Sequence, residues 1–234
     1  MKNNNKRFLL PALIAGAFLT FSCSEDDPDP IVQEGIEKSS LIFTEISGEG
    51  DFGAHGDHFH GINSATEGES MTIEFDSQGN AVEGGHLHLH PDGIYKVELQ
   101  AWDYQGNRVE GDFIQDKATA DMYKAFLVGG DLTLNPDTDD ESGAVFQPRE
   151  QTYGDGTAVS GQYETTGILG YFTLGESNEG EFMITYILRE FAEADTKATI
   201  TRLDWNSNDY STKFPGQDVL ALEFEIHAED DHDH

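Results

Sequence analysis

The sequence predicts an all-β protein, an antiparallel β-sandwich of the immunoglobulin-like kind with one short helix. Three observations lead to this fold class. Apolar and polar residues alternate along several segments, which is typical of strands with one buried face. The chain of 234 residues contains 25 glycines, which favours many turns. It has a single cysteine, so no disulfide within the chain can hold the fold together.

Period-two apolar stripes predict five strands in chain order. The stripes are Leu41 and Phe43; Met71, Ile73 and Phe75; Tyr95, Val97, Leu99 and Ala101; Phe182, Ile184, Tyr186 and Leu188; and Leu220, Leu222, Phe224 and Ile226. Segments 168–174 and 198–203 are expected to add strands, for a sandwich of about eight. Turn residues at 92–93, 105–107 and 177–180 predict hairpins.

One helix is predicted between residues 116 and 130. Four apolar residues recur there at the spacing of one helix face, and they are Ala118, Met122, Ala125 and Phe126. Asp116 is suited to the N-cap position, and the glycine pair at 129–130 favours an end to the helix. We expect this helix to cover one end of the sandwich.

The N-terminus has the features of a lipoprotein signal peptide over residues 1–22. Basic residues precede an apolar run at 8–21, which is short for a bilayer span of about 20 residues. The only cysteine, Cys23, ends a segment that resembles a loose lipobox, so we predict that Cys23 carries the lipid anchor. A cleaved secretory signal with a free cysteine and an uncleaved anchor helix are the alternatives.

The net charge excludes one class of partner. Asp and Glu number 45 against 13 Lys and Arg, for a net charge of -32, which argues against binding the phosphate backbone of nucleic acids.

Residues 23–37 form an acidic, proline-broken tether. This tether resembles the export tag of surface-displayed Bacteroidetes lipoproteins, which implies a surface-exposed outer-membrane location; a plain solvated linker would have the same composition. The folded domain is predicted at 38–226, followed by an acidic His-rich tail at 227–234.

The nine histidines form three clusters, which together predict a metal site. The clusters are His55, His58 and His60; His86, His88 and His90; and His227, His232 and His234. If the middle cluster is a strand, Leu87 and Leu89 face the core and the imidazoles project from the other face, about 6.5 to 7 Å apart. Neighbouring pairs can then share an ion, but all three cannot. We expect the first cluster, a glycine-flanked loop that includes Asp57 as an oxygen ligand, to close over this strand.

Nitrogen and carboxylate ligands favour Zn²⁺ or Cu²⁺ over Ca²⁺ or Mg²⁺. The alternatives are an outward polar strand face, a solvated loop and a solubilising tail that bind nothing. Haem held by two imidazoles also fits the clusters. A separate acidic loop at 135–143 could coordinate Ca²⁺, although its glycine does not fall where a twelve-residue helix-loop-helix site needs it.

The segment His58-Phe59-His60-Gly61, followed by His86, resembles the zinc-ligand spacing of α-type carbonic anhydrases. The other signature segments of that family are missing, and the sequence contains no Gly-x-Ser-x-Gly motif. We therefore expect a binding protein rather than an enzyme.

A broader resemblance covers most of the chain after the signal peptide. The order of segments 41–44, 71–76 and 93–99, a short helix, an acidic loop and segment 167–169 is similar to that of Bacteroidetes lipoproteins associated with TonB-dependent receptors. The resemblance implies capture of a metal ion or metal complex and its transfer to such a receptor. The alternative is a non-metal accessory subunit of an outer-membrane transporter.

Overall fold

The computed structural model describes residues 33–161 and 164–228. Its strands are β1 (Ile36–Ser47), β2 (Gly53–His55), β3 (His58–His60), β4 (Thr66–Phe75), β5 (Ala81–Glu83), β6 (His86–Leu89), β7 (Ile94–Asp103), β8 (Tyr123–Gly129), β9 (Val145–Pro148), β10 (Leu169–Thr173), β11 (Gly180–Phe191) and β12 (Gly216–Ala228). The α-helices are α1 (Lys117–Ala120) and α2 (Tyr210–Lys213), and 3₁₀ turns lie at Ile62–Ser64, Glu110–Ile114, Asn135–Asp137, Ala194–Thr199 and Asp204–Asn206.

The signal peptide, Cys23, the tether up to residue 32 and the histidines His232 and His234 lie outside the described residues. Within the described part of the chain, no helix combines the length and apolar character needed to cross a membrane.

Two sheets pack face to face, which confirms the predicted all-β sandwich. The larger sheet has the strand order β5-β4-β1-β7-β10-β9, and the smaller has the order β6-β12-β11-β8. Neighbouring strands are antiparallel, except that β6 and β12 run in parallel. The inner faces share one core, in which the rings of Phe43 on β1 and Phe224 on β12 have centroids 5.7 Å apart. Full burial of such a side chain contributes about 1.5–3 kcal/mol to stability.

The five alternating stripes all lie in strands, namely β1, β4, β7, β11 and β12. Segment 168–174 contains β10, as expected. Alternation predicted these strands correctly because each lies in a sheet with one face on the shared core.

The helix predicted at 116–130 is wrong beyond its first turn. Asp116 does cap α1, because its carboxylate accepts a hydrogen bond from the Thr119 N–H at 2.7 Å. The chain then continues as β8, which is buried on both faces. Leu127 belongs to the core between the sheets, and Phe126 packs in a second apolar cluster on the outer side of the smaller sheet. A strand buried on both faces has a continuous apolar run, which helical spacing also matches.

The strand predicted at 198–203 is also wrong. This segment overlaps the 3₁₀ turn Ala194–Thr199 instead. Lys197 anchors the turn, since its side chain is 2% exposed and donates hydrogen bonds into the interior. Anchoring by a buried lysine has no period-two signature in the sequence.

Two of the three predicted hairpins are connections between sheets. Turns 92–93 and 177–180 join β6 to β7 and β10 to β11, and each pair of strands is divided between the two sheets. The turn at 105–107 does fold back on itself, with the Asp103 N–H donating to the Asn107 carbonyl at 3.0 Å. Turn residues mark a reversal of direction, whereas the sheet that the next strand joins depends on packing.

Candidate metal centre

Strand β6 presents two histidines on the outer face of the smaller sheet. Leu87 and Leu89 are each 2% exposed and belong to the core. His86 and His88 alternate with them and are exposed, as the sequence predicts. The strand ends at Leu89, so His90 follows it, and the backbone N–H of His90 donates to the Tyr95 hydroxyl at 3.0 Å.

A pair of glycines sets the position of β6. Gly84 has a φ of 68°, a left-handed conformation that favours glycine, and a Cβ there would lie 2.2 Å from the carbonyl oxygen of Thr72. The carbonyl of Gly85 accepts a hydrogen bond from the Glu225 N–H at 2.9 Å. This close backbone approach brings the start of β6 beside β12.

Strand β12 supplies the other half of the site. Its inward residues Phe224 and Ile226 are buried, so Glu225 and His227 face outward. In the parallel ladder, Glu225 pairs with His86, and His227 pairs with His88. The four outward side chains therefore form one patch on the sheet.

The assignment of His227 to a tail at 227–234 is wrong, because β12 continues to Ala228. Glu225 is the functional candidate that the sequence reasoning missed. The alternation of the last predicted strand could have identified it, because this alternation places Glu225 on the same outward face as His227.

Three side chains of the patch converge. His86, Glu225 and His227 each offer a ligand atom, and these atoms lie within 4.8 Å of one another. Glu225 Oε2 is 2.6 Å from His86 Nδ1 and 3.4 Å from His227 Nε2. Ligand atoms of a tetrahedral Zn²⁺ at 2.0–2.1 Å are separated by about 3.3 Å. The 3.4 Å separation already matches that geometry, and the shorter one must open by about 0.7 Å.

The Nε2 atom of His227 is buried and makes no hydrogen bond to any described residue, because the Glu225 oxygen at 3.4 Å lacks hydrogen-bond geometry. The imidazole ring lies between its neighbours, with centroids 5.7 Å from His86 and 5.2 Å from His88. A buried nitrogen without a partner destabilises the fold by about 1–3 kcal/mol. A bound cation would satisfy this atom.

The first histidine cluster folds as the hairpin β2–β3 rather than as a loop. Phe59 anchors it, being 3% exposed and donating its backbone N–H to Gln147 Oε1 of β9 at 2.9 Å. The imidazoles of this hairpin gather on one side, with ring centroids 4.7 to 6.0 Å apart for His55, His58 and His60.

The expected joint site between the hairpin and β6 does not form. Among the described residues, no ring contact joins the hairpin imidazoles to those of His86, His88 and His227, and the convergent group that the structure does contain lies entirely on β6 and β12. The carbonic-anhydrase-like spacing predicts one zinc site formed by His58, His60 and His86. In the structure, His86 lies with Glu225 and His227 instead.

Each hairpin imidazole turns its Nδ1 toward a carboxylate. The pairs are His55 with Glu141 at 2.8 Å, His58 with Asp57 at 3.0 Å, and His60 with Asp51 at 3.6 Å. Carboxylates often orient metal-binding histidines in this way. No three ligand atoms of the hairpin lie within 4.8 Å of one another in the described structure, in contrast to the group on β6 and β12.

Asp57, expected as an oxygen ligand, is engaged in a different role. Partial burial would raise its pKa, but hydrogen bonds from His58 and Arg202 and the charge of Arg202 hold the pKa of Asp57 below its ordinary value. The Arg202 Nη1 lies 3.2 Å from its carboxylate. Asp57 therefore orients His58 and pairs with an arginine.

The acidic loop at 135–143 is organised by a buried amide. Asn135 is 1% exposed, donates to the Gly56 carbonyl at 2.9 Å and accepts from the Gly143 N–H at 3.0 Å. The carboxylates of this loop form no convergent group among the described residues. Its geometry serves to hold the β2–β3 hairpin.

Fold and site together define an all-β sandwich with a histidine–glutamate group on the outer face of its smaller sheet. Comparisons with protein-family models, curated proteins and solved structures find no match to the chain.

Proposed function

We propose that this protein is a lipid-anchored metal-binding protein of the outer membrane that holds Zn²⁺ or Cu²⁺ at His86, Glu225 and His227. The observation that carries the proposal is the convergence of three ligand atoms within 4.8 Å, beside the buried Nε2 of His227, which forms no hydrogen bond with a described residue. Two imidazoles and a carboxylate are a ligand set that both ions accept. We propose His88, whose ring centroid lies 5.2 Å from that of His227, as the fourth ligand.

The exposure of the site supports capture and exchange rather than turnover. The side chain of His86 is 71% exposed, and Glu225 is 23% exposed. Zinc enzymes hold the metal in a shaped cavity that excludes water, whereas this group lies on a sheet surface. The resemblance to lipoproteins associated with TonB-dependent receptors supports the further proposal that the ion, or a metal complex, is passed to such a receptor at the cell surface.

Metal titration combined with thermal unfolding tests the site. A ligand that binds only the folded state stabilises it by about 2.7 kcal/mol at a hundred times its Kd. We expect Zn²⁺ or Cu²⁺ to raise the melting temperature of the wild-type protein. The double variant His86→Ala/His227→Ala should lose the tight binding step and the thermal shift.

Two controls separate this site from the other histidines. The hairpin variant His55→Ala/His60→Ala and a truncation after Ala228 should both keep the tight step and the shift. Retention of the shift by His86→Ala/His227→Ala, or its loss in either control, would place the metal elsewhere and refute the proposed site. A wild-type protein with no shift would favour the alternative of an accessory transporter subunit without metal.

A further inference from the structure

A cavity of about 620 Å³ lies beside β8 and β9, outside the metal site. This volume falls within the range of about 300–1,000 Å³ that is typical of small-molecule sites. Lys124, Arg149 and Arg202 line it, although the whole chain has only 13 lysines and arginines and a net charge of -32. The cavity is therefore a cationic site in a strongly acidic protein.

Glu150 is the one acidic residue among the described residues that line the cavity. It is 8% exposed, and its carboxylate accepts hydrogen bonds from the backbone N–H groups of Thr166 at 3.0 Å, Gly167 at 2.6 Å and Leu169 at 3.2 Å. These bonds orient the carboxylate toward the backbone, and no contact within 4.0 Å joins it to Lys124, Arg149 or Arg202, although its charge still acts on Lys124.

The cationic groups are incompletely neutralised. The guanidinium of Arg149 forms neither a hydrogen bond nor an ion pair with any residue that the structure describes. Lys124 is 8% exposed, and its ammonium donates to the neutral Thr165 carbonyl at 3.1 Å. Burial lowers the pKa of Lys124 to about 8, with Glu150 raising it and Arg202 lowering it further. Arg202 shares its charge with Asp57.

Part of the cavity wall is apolar. Trp205, Phe146 and Ile200 contribute to the lining and are buried at 5%, 1% and 2% exposure. The rings of Trp205 and Phe146 pack edge to face with centroids 6.1 Å apart. An inorganic anion would leave this wall and most of the volume unused.

We propose that this cavity binds a small organic carboxylate, whose charged group pairs with the guanidinium of Arg149 and whose apolar body rests against Trp205. Guanidinium binds a carboxylate through two parallel hydrogen bonds. A single negative charge matches Arg149, the one arginine of the cavity lining that pairs with no described acidic residue. This binding activity is independent of the proposed metal site.

Ligand binding is tested on the full chain in metal-free buffer. The probes are benzoate and phenylacetate, with benzamide and phenylacetamide as neutral counterparts and inorganic phosphate as an inorganic anion. Trp102→Phe leaves Trp205 as the sole tryptophan, so its fluorescence reports on the cavity, and calorimetry gives the affinity. At least one carboxylate should bind at millimolar concentration or below, with its neutral counterpart weaker by about tenfold or more.

Arg149→Gln should weaken the binding of that carboxylate by about tenfold or more, since the lost hydrogen bonds are charge-assisted. Arg108→Gln is the matched control, because Arg108 pairs with Glu110 outside the cavity, and it should leave the affinity unchanged. Arg202→Gln provides a second variant should Arg149→Gln fail to fold. Binding by none of the carboxylates, equal binding of the neutral counterparts, unchanged affinity in the cavity variants, or binding of phosphate alone would overturn the proposal.

Discussion

Lys197 makes the stability of this protein depend on pH in a predictable direction. The residue is 2% exposed, and its ammonium donates to three neutral acceptors, which are the carbonyls of Ala120 and Glu164 and the hydroxyl of Thr166. Burial, reinforced by the charge of Lys124, lowers the pKa of Lys197 from 10.5 to about 7. The folded protein therefore favours the neutral amine above about pH 7.

The direction of this pH dependence follows from the number of protons that the folded and unfolded states bind. The unfolded chain keeps the ordinary pKa, so between about pH 7 and 10 it holds one more proton on Lys197 than the folded chain does. The free energy of unfolding should consequently rise with pH, by up to about 1.4 kcal/mol per pH unit, or about 2 kcal/mol between pH 7.5 and 9. Lys124, with a pKa of about 8, acts in the same direction. Tyr95 and Tyr210, whose pKa values burial raises to about 12, oppose this trend only at higher pH.

Urea unfolding followed by tryptophan fluorescence, in metal-free buffer at several pH values across this window, measures the slope. Lys197→Met should reduce the slope by about 1 kcal/mol per pH unit. Lys213→Met, which removes a lysine 45% exposed on α2, should leave the slope as in wild type. A slope unchanged in Lys197→Met, or a wild-type stability that falls as pH rises, would refute this account of Lys197.

Two further predictions concern the metal and the membrane anchor. Zn²⁺ or Cu²⁺ affinity should fall steeply from about pH 7.5 to 5.5, because the imidazoles of His86 and His227 must be neutral to coordinate the ion. Calorimetry in two buffers of different ionisation enthalpy should then detect proton release, whereas identical heats and a pH-independent affinity would indicate carboxylate sites. Cys23→Ala should release or misprocess the protein, since the attached lipid supplies membrane affinity. A variant that still fractionates with the outer membrane and takes up a fatty-acid label would contradict the lipoprotein prediction.

Local periodicity predicted β12 and, on the condition that 86–90 is a strand, the two faces of β6. In β6, Leu87 and Leu89 alternate with His86 and His88, and the structure places the two sets on opposite faces. The same alternation on β12 could have identified Glu225 from sequence. Periodicity predicts these features because the direction of a strand side chain depends on its immediate neighbours along the chain.

Periodicity was insufficient where an element is covered on both sides. Residues 125–128 of β8 form a continuous apolar run, since Leu127 faces the shared core and Phe126 faces the second cluster. Such a run satisfies helical and extended spacing equally, and Asp116 at a true N-cap reinforced the helical interpretation. The second apolar cluster that covers the outer face of β8 is formed by residues distant in the sequence, including Phe214.

By itself, the sequence determined the all-β class, the inward and outward faces of the main strands and the types of side chain available to a metal. Only the tertiary structure decided which histidines share a site: His227 joins His86 through the parallel pairing of β6 with β12, and the hairpin of His55 packs on β9 instead. The physical reason is that strand pairing is a contact between segments far apart in the chain. It depends on which backbones can approach, as Gly84 permits beside Thr72, and on which apolar faces are buried together.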